Sequence, residues 1–208
     1  MPLALADELF LMTHDLQSGK ALVRGSGLGV GLACGLLAEL MFSGSVVVSA
    51  GHLELGEYAP PADDLAERVY DATRQQVLTS RVTVRDWLDA RRQDVEDLVA
   101  DRLVRAGDLR RQLARRLGRS VVRYVPARPS DVLMRAQRLP SYLRHRVELT
   151  EPDVVVARLA QLLTPGGGAF ELDDAGAEYL AQLVPALHPP ARELLEIAES
   201  SLEGSARL

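Results

Sequence analysis

The chain has 208 residues, of which 47% are hydrophobic, 25% charged and 4% aromatic, and this ordinary balance excludes a disordered, collagen-like or rod-shaped protein. The one cysteine, Cys34, excludes an internal disulfide framework and a cysteine-based zinc site. The formal net charge is −5, but segment 68–146 holds nineteen arginines against nine acids, and the segments on either side are acidic. We therefore expect either a basic face that meets an anionic partner or charge pairing within the fold.

Neither a secretory leader nor a membrane span is expected. Asp7 and Glu8 lie where a leader needs positive charge, and the first basic residue is Lys20. The most tempting stretch, 25–38, is uncharged, ends at Glu39 and is shorter than the roughly 20 apolar residues that a spanning helix needs. This run predicts a buried helix instead.

The first third of the chain predicts two helices and a hairpin. Leucines at helical spacing favour a short helix over 3–14, followed by a turn at 17–19 and a short strand at 21–23. The next helix runs from a glycine-rich entry to about Phe42 and is apolar on nearly every side, which is typical of a central helix. Valines 46–48, the Ala50-Gly51 turn and residues 53–55 then predict a β-hairpin.

The rest of the chain is predicted to be largely helical. Asp63 or Asp64 is a candidate N-cap for the first helix of this part. The helices are expected over 65–78, 83–92, 95–105 up to Gly107, 130–143 up to Pro140, 152–163, 174–187 and 191–202, with a strand at 121–125. We therefore predict a mainly α fold, with a single helical domain over 1–208, a central buried helix and short β-hairpins.

The sequence offers no catalytic constellation. The glycines at 25–31 follow the spacing G-x-G-x-G-x-G, whereas a dinucleotide loop needs G-x-G-x-x-G after a strand, and no phosphate-binding Gly-Lys-Ser/Thr is present. The glycines favour instead a flexible helix entry and close packing. The four histidines have no metal-ligand spacing: His14, His52, His145 and His188. We therefore expect no enzyme, no metal site and no cofactor.

The arginines are the strongest signal in the chain. Arg111, Arg115 and Arg119 recur at a spacing of four, which would form a positive stripe along a helix. The stripe is compatible with a solvated face paired to acidic segments, with contact to anionic lipid, or with contact to DNA phosphates. The DNA alternative depends on a winged-helix-like order of helix, glycine and two strands across 95–128.

Three hydrophobic motifs, in this order, resemble the Golgi phosphoprotein family. They are Asp7-Glu8-Leu9-Phe10-Leu11-Met12, then Gly31-Leu32-x-x-x-Leu36-Leu37-x-Glu39-Leu40 with its valine-rich hairpin, then Leu103-Val104-x-x-Gly107. The family comprises adaptors that bind phosphatidylinositol 4-phosphate, together with bacterial relatives, which this chain resembles most. The resemblance covers nearly the whole chain and implies a largely α-helical fold, peripheral membrane association and no catalysis.

The resemblance also places a lipid-headgroup pocket. In the family, a Trp and several basic residues form it between the loop before the second helix and a later helix. The matching positions here are Arg24, Ala33 and the neighbourhoods of Gln93 and Glu96. Arg24 supplies a cation, and the nearby Arg91 and Arg92 are suitable substitutes, because arginine binds phosphate through two parallel hydrogen bonds.

The leading hypothesis is therefore a cytoplasmic, non-enzymatic adaptor that is peripheral to the inner face of a membrane. It would bind anionic headgroups, with phosphatidylinositol 4-phosphate as one candidate, through Arg24, Arg91 and Arg92. The basic face Arg111, Arg115 and Arg119 would add nonspecific attraction. A protein partner of unknown kind is expected, and self-association is left open. The alternatives are a winged-helix-like DNA-binding protein, which is disfavoured, and a cytosolic scaffold without a lipid ligand.

Overall fold

Helices dominate the structure. A computed structural model describes residues 3–23, 27–57, 63–116, 119–164 and 170–205, with residues 115, 116, 119–121 and 205 described by their backbone only. The helices are α1 (Leu5–Thr13), α2 (Gly27–Phe42), α3 (Asp64–Thr79), α4 (Val84–Arg91), α5 (Val95–Arg105), α6 (Pro129–Ala136), α7 (Arg138–Arg144), α8 (Glu151–Leu163), α9 (Asp174–Leu183) and α10 (Pro189–Ser205). The prediction of a mainly α fold with short hairpins is confirmed.

Three antiparallel hairpins interrupt the helices. They pair β1 (His14–Asp15) with β2 (Lys20–Ala21), β3 (Val46–Ser49) with β4 (His52–Leu55), and β5 (Leu109–Arg116) with β6 (Arg119–Pro126). The first hairpin is short, and its second strand ends at Ala21 rather than Val23, because its partner strand begins only at His14, after α1 has ended at Thr13. Leu22 still donates its backbone N–H to the Thr13 carbonyl in the same register.

The central helix is α2, as its apolar circumference predicts. Nearly all of its side chains are buried, and it packs against α1, α4, α5, α8 and α10. Three of its glycines lie at close approaches. A Cβ atom would lie 1.9 Å from the Arg92 carbonyl oxygen at Gly29, 2.4 Å from Leu163 at Gly31, and 3.0 Å from the Ala6 backbone at Gly35. Gly29, Gly31 and Gly35 therefore serve close packing inside a helix, and they do not form a phosphate loop.

The β3–β4 hairpin confirms its prediction. Ala50 and Gly51 both have positive φ, 48° and 75°, as the tight turn of a two-residue hairpin requires. Val46 pairs with Leu55, so Val46, Val48 and Leu53 point into the core. The N–H of Gly51 donates to the Glu193 carboxylate of α10, which fixes the turn against the last helix.

Several helix boundaries follow the predicted signals. Asp63 caps α3, since its Oδ1 accepts from the N–H groups of Leu65 and Ala66 at 2.8 and 3.1 Å. Gly107, with φ +79°, ends α5.

The predicted single helix over 130–143, ending at Pro140, is wrong. The chain breaks at Gln137, and Pro140 lies in the first turn of α7, where the backbone N–H has no helical partner to lose.

Candidate headgroup site and basic hairpin

Two of the predicted headgroup positions, Arg92 and Ala33, lie against or within α2. Gly29 lies against the backbone of Arg92, so the link between α4 and α5 touches the first turns of α2. Glu96, in the first turn of α5, lies 3.5 Å from His14 Nε2 on β1. Ala33 is fully buried, so position 33 contributes packing here. Arg24 lies outside the described residues.

Arg92 is the more available of the two described cations. It ends α4, its side chain is 35% exposed, and its one described ion pair is with Asp89 one turn earlier, at 3.4 Å. A surface pair of this kind contributes about 0–1 kcal/mol, so an incoming phosphate can replace it at little cost.

Arg91 faces a different set of groups. Its guanidinium stacks over the ring of Trp87 at 4.0 Å and donates to the side-chain oxygen of Gln76 at 3.2 Å. Burial lowers the pKa of Arg91 from its ordinary value to about 10, so it stays a cation at neutral pH. Arg91 and Arg92 are neighbours in sequence, but among the described residues they share no partner.

The basic segment forms a β-hairpin, so the predicted helical stripe is wrong. Arg111 pairs across the hairpin with Tyr124, and position 119 pairs with position 116 beside the turn. Alternation along an antiparallel pair therefore places positions 111 and 115 on one face and position 119 on the other. The spacing of arginines suited a helix, but the β-branched partner segment 121–125 supplied the competing hydrogen-bond ladder.

The β5–β6 hairpin is buried at the end away from its turn and exposed nearer to the turn. Leu109 and Val125 are 2% and 5% exposed in the core, and Tyr124 packs edge-on against Phe10. The cross-strand pair Leu113 and Val122, in contrast, is 77% and 47% exposed. Arginines flank this apolar pair along both strands: Arg110, Arg111, Arg115, Arg116, Arg119 and Arg123.

A buried ion-pair cluster, which the sequence analysis missed, holds the N-terminal helices to α5. Arg102 donates to Asp7 at 2.8 Å, to both carboxylate oxygens of Glu39 at 2.9 Å, and to Asp63 at 3.1 Å. Glu39 Oε1 also accepts from the backbone of Ala6. Burial raises the pKa of Asp7 to about 7, with a further contribution from the Glu39 and Asp63 carboxylates, although Arg102 lowers it. The cluster explains two charged positions of the motifs that carry the resemblance.

A second cluster involves the other acid of that motif. Glu8, which is 3% exposed, accepts two hydrogen bonds from Arg138 at 3.0 and 2.8 Å, and Arg138 also donates to Asp153 at 2.6 Å. These contacts tie α1 to α7 and α8. In the sequence, the one signal for these ion pairs was the basic segment 68–146 between two acidic segments.

The family model of Golgi phosphoprotein 3 (GPP34) matches residues 5–196. The chain belongs to the Golgi phosphoprotein 3 (GPP34) family. That family is of the Golgi adaptor type and is not a known enzyme family. No curated protein matches the chain. Within the described residues, no helix is long and apolar enough to cross a membrane.

Proposed function

We propose that this member of the GPP34 family is a non-enzymatic adaptor that docks on the cytoplasmic face of a membrane through anionic headgroups. The observation that carries the proposal is the exposed Leu113–Val122 pair between arginines of the β5–β6 hairpin. Such a surface suits the membrane interface, where apolar side chains enter the headgroup region and basic residues each contribute on the order of 1 kcal/mol.

The headgroup site proper is assigned to Arg24, Arg91 and Arg92. Arg92 is partly exposed and weakly paired, and Arg91 is half-buried without a carboxylate partner among the described residues. Phosphatidylinositol 4-phosphate is the proposed ligand on family grounds. A partner protein would bind elsewhere on the surface.

Liposome flotation tests the membrane contact. The wild type should float with vesicles containing phosphatidylinositol 4-phosphate or phosphatidylglycerol, and should stay unbound with phosphatidylcholine alone. Binding should fall as salt rises, because exposed charges are screened over about 8 Å at physiological ionic strength. Replacing Arg24, Arg91 and Arg92 by Glu should abolish binding, whereas replacing Arg111, Arg115 and Arg119 should only weaken it.

The apolar pair has a matched control. Changing Leu113 and Val122 to Ser should reduce flotation, and changing Leu78, which is 63% exposed on α3, to Ser should not. If the hairpin arginine variant loses all binding while the Arg24, Arg91 and Arg92 variant keeps it, the headgroup assignment is wrong. Binding to duplex DNA without binding to any anionic vesicle would overturn the membrane proposal.

A further inference from the structure

A small apolar pocket opens between α3, α4 and α5, beside α2. Its volume is about 200 Å³. The apolar lining includes Leu36, Leu65 and Val95, each 1% exposed, and Val69. The pocket is smaller than the roughly 300–1,000 Å³ that drug-sized ligands occupy, so it suits a short chain.

Two arginines line the same pocket. Neither Arg68 nor Arg91 has a carboxylate within 4 Å among the described residues. Arg68 donates to the backbone oxygen of Asp64, and Arg91 has only neutral acceptors and the Trp87 ring. The buried Arg102 and the partly buried Arg138 differ sharply from them, because Arg102 meets three carboxylates and Arg138 meets two.

The half-buried guanidinium of Arg91, without an acid partner, has lost water and gained no compensating charge, whereas Arg68 is exposed at the edge of the pocket. An anion that enters the pocket mouth would supply the missing partner, and would do so in surroundings of low dielectric. The lowered pKa of Arg91, which burial causes, agrees with this geometry.

One acidic group lies in the lining as well. Asp94, at the start of α5, is exposed, and its carboxylate forms no ion pair with Arg68 or Arg91. Its charge opposes an incoming anion without neutralising either arginine. Removing that charge should therefore strengthen anion binding.

We propose that this pocket binds a small amphipathic carboxylate, with a short alkyl chain on the apolar floor and the carboxylate paired with Arg91 and Arg68. The site shares Arg91 with the headgroup site proposed above but goes beyond it, since Arg92 and the hairpin residues take no part in its lining. Its ligand is a free, soluble molecule, so the site does not require a vesicle.

Octanoate is the probe, with octanol and acetate as comparisons. Trp87 is the only tryptophan of the chain, and Arg91 stacks on it, so octanoate that draws Arg91 away should change the intrinsic fluorescence saturably. By calorimetry, octanol should bind at least about ten-fold more weakly, because a charge-assisted hydrogen bond is lost. Acetate, which lacks the chain, should not bind measurably.

Four variants separate the parts of the site. Arg91→Gln should weaken octanoate binding about ten-fold, and Asp94→Asn should strengthen it. Ala72→Phe, at the exposed edge of the lining, should fill the pocket and abolish binding. Arg74→Gln, on α3 outside the lining, should leave binding unchanged, and each variant's fold is checked by its urea midpoint.

Equal affinity for octanol and octanoate would overturn the proposal, as would unchanged binding in Arg91→Gln. If Ala72→Phe fails to fold, the octanoate affinities of Arg91→Gln and Asp94→Asn still test the proposal. Arg92→Gln distinguishes the two proposals, because it should reduce flotation with anionic vesicles and leave octanoate binding intact. Octanoate binding in a protein that ignores every vesicle would count against the membrane proposal alone.

Discussion

At the scale of single residues, Asp7 is the group whose protonation matters most for stability. It is 5% exposed and shares Arg102 with Glu39 and Asp63. Burial, and then the neighbouring carboxylates, raise the pKa of Asp7 to about 7 from its ordinary 3.8, although Arg102 acts in the opposite direction. The native state therefore holds this proton more tightly than the unfolded chain does.

Stability should consequently fall as pH rises through 7. The contribution of Asp7 is fully present below about pH 4 and is lost between there and neutrality, with a slope of at most roughly 1.4 kcal/mol per pH unit. Asp7→Asn removes this dependence. Urea unfolding of both proteins between about pH 5 and pH 8 should show the wild type losing stability relative to Asp7→Asn.

The wild type must be compared with Asp7→Asn, because burial also raises the pKa of Glu8. The pH dependence that Glu8 causes is common to the wild type and Asp7→Asn. Asp71→Asn, on an exposed position of α3, is the control and should run parallel to the wild type. Parallel curves for the wild type and Asp7→Asn would contradict the assigned role of Asp7.

At the scale of elements, α2 shows how packing overrides helix propensity. Alanine is a better helix former than glycine by about 1 kcal/mol, so glycines inside a helix need another explanation. At Gly29 that explanation is the Arg92 carbonyl, which would lie 1.9 Å from a new Cβ atom and which belongs to rigid backbone. The glycine therefore sets the distance between α2 and the end of α4.

Gly29→Ala should destabilise the protein by about 1–3 kcal/mol, because the added methyl group forces the two backbones apart. Gly204→Ala is the matched control. It also lies in a helix, α10, but has open space around it, so propensity alone should act and the change should be neutral or slightly stabilising. The urea midpoints of unfolding measure the stability of both variants. If Gly29→Ala were stabilising, the end of α4 would have moved to accommodate the added methyl group.

At the scale of the whole molecule, acidic and basic segments of the chain neutralise much of each other's charge through ion pairs. The acids of the first segment pair with arginines of the basic middle, as Asp7 and Glu39 do with Arg102 and Glu8 does with Arg138. Acids of the last segment pair with it too, as Asp173 does with Arg144. In the β5–β6 hairpin, Arg110 and Arg111 are exposed, and Arg111 pairs with Asp101.

The salt dependence should therefore differ between the ion pairs that stabilise the fold and the arginines that contact the membrane. Buried pairs are screened much less than exposed ones, so the unfolding temperature should change by only a few degrees between low and high ionic strength. Flotation with anionic vesicles should fall steeply over the same range. Thermal scans and flotation in the same buffers test this. A steep fall in both the unfolding temperature and the vesicle-bound fraction would show that the fold and the membrane contact depend on the same charges.

Much of the fold was predictable because its signals are local. The apolar circumference of α2, the Ala50-Gly51 turn, the Asp63 cap and the Gly107 stop each act within a few residues, and the structure confirms all four. The order of the hydrophobic motifs was sufficient to predict the family.

The site depended on contacts between distant residues. The arginines of 109–119 have helical spacing, yet they lie on strands, because pairing with 119–126 supplies a ladder that spacing cannot reveal. Arg91 and Arg92 are adjacent in the chain, and each has a neighbour one turn earlier on α4, Trp87 for Arg91 and Asp89 for Arg92. Only Arg91 also reaches a distant residue, Gln76 of α3. Sequence alone thus determined most of the helices, the Asp63 cap and the surplus of arginine. Tertiary packing decided which arginines are neutralised in the core and which remain for a ligand, because a charge's partner is set by distances in space.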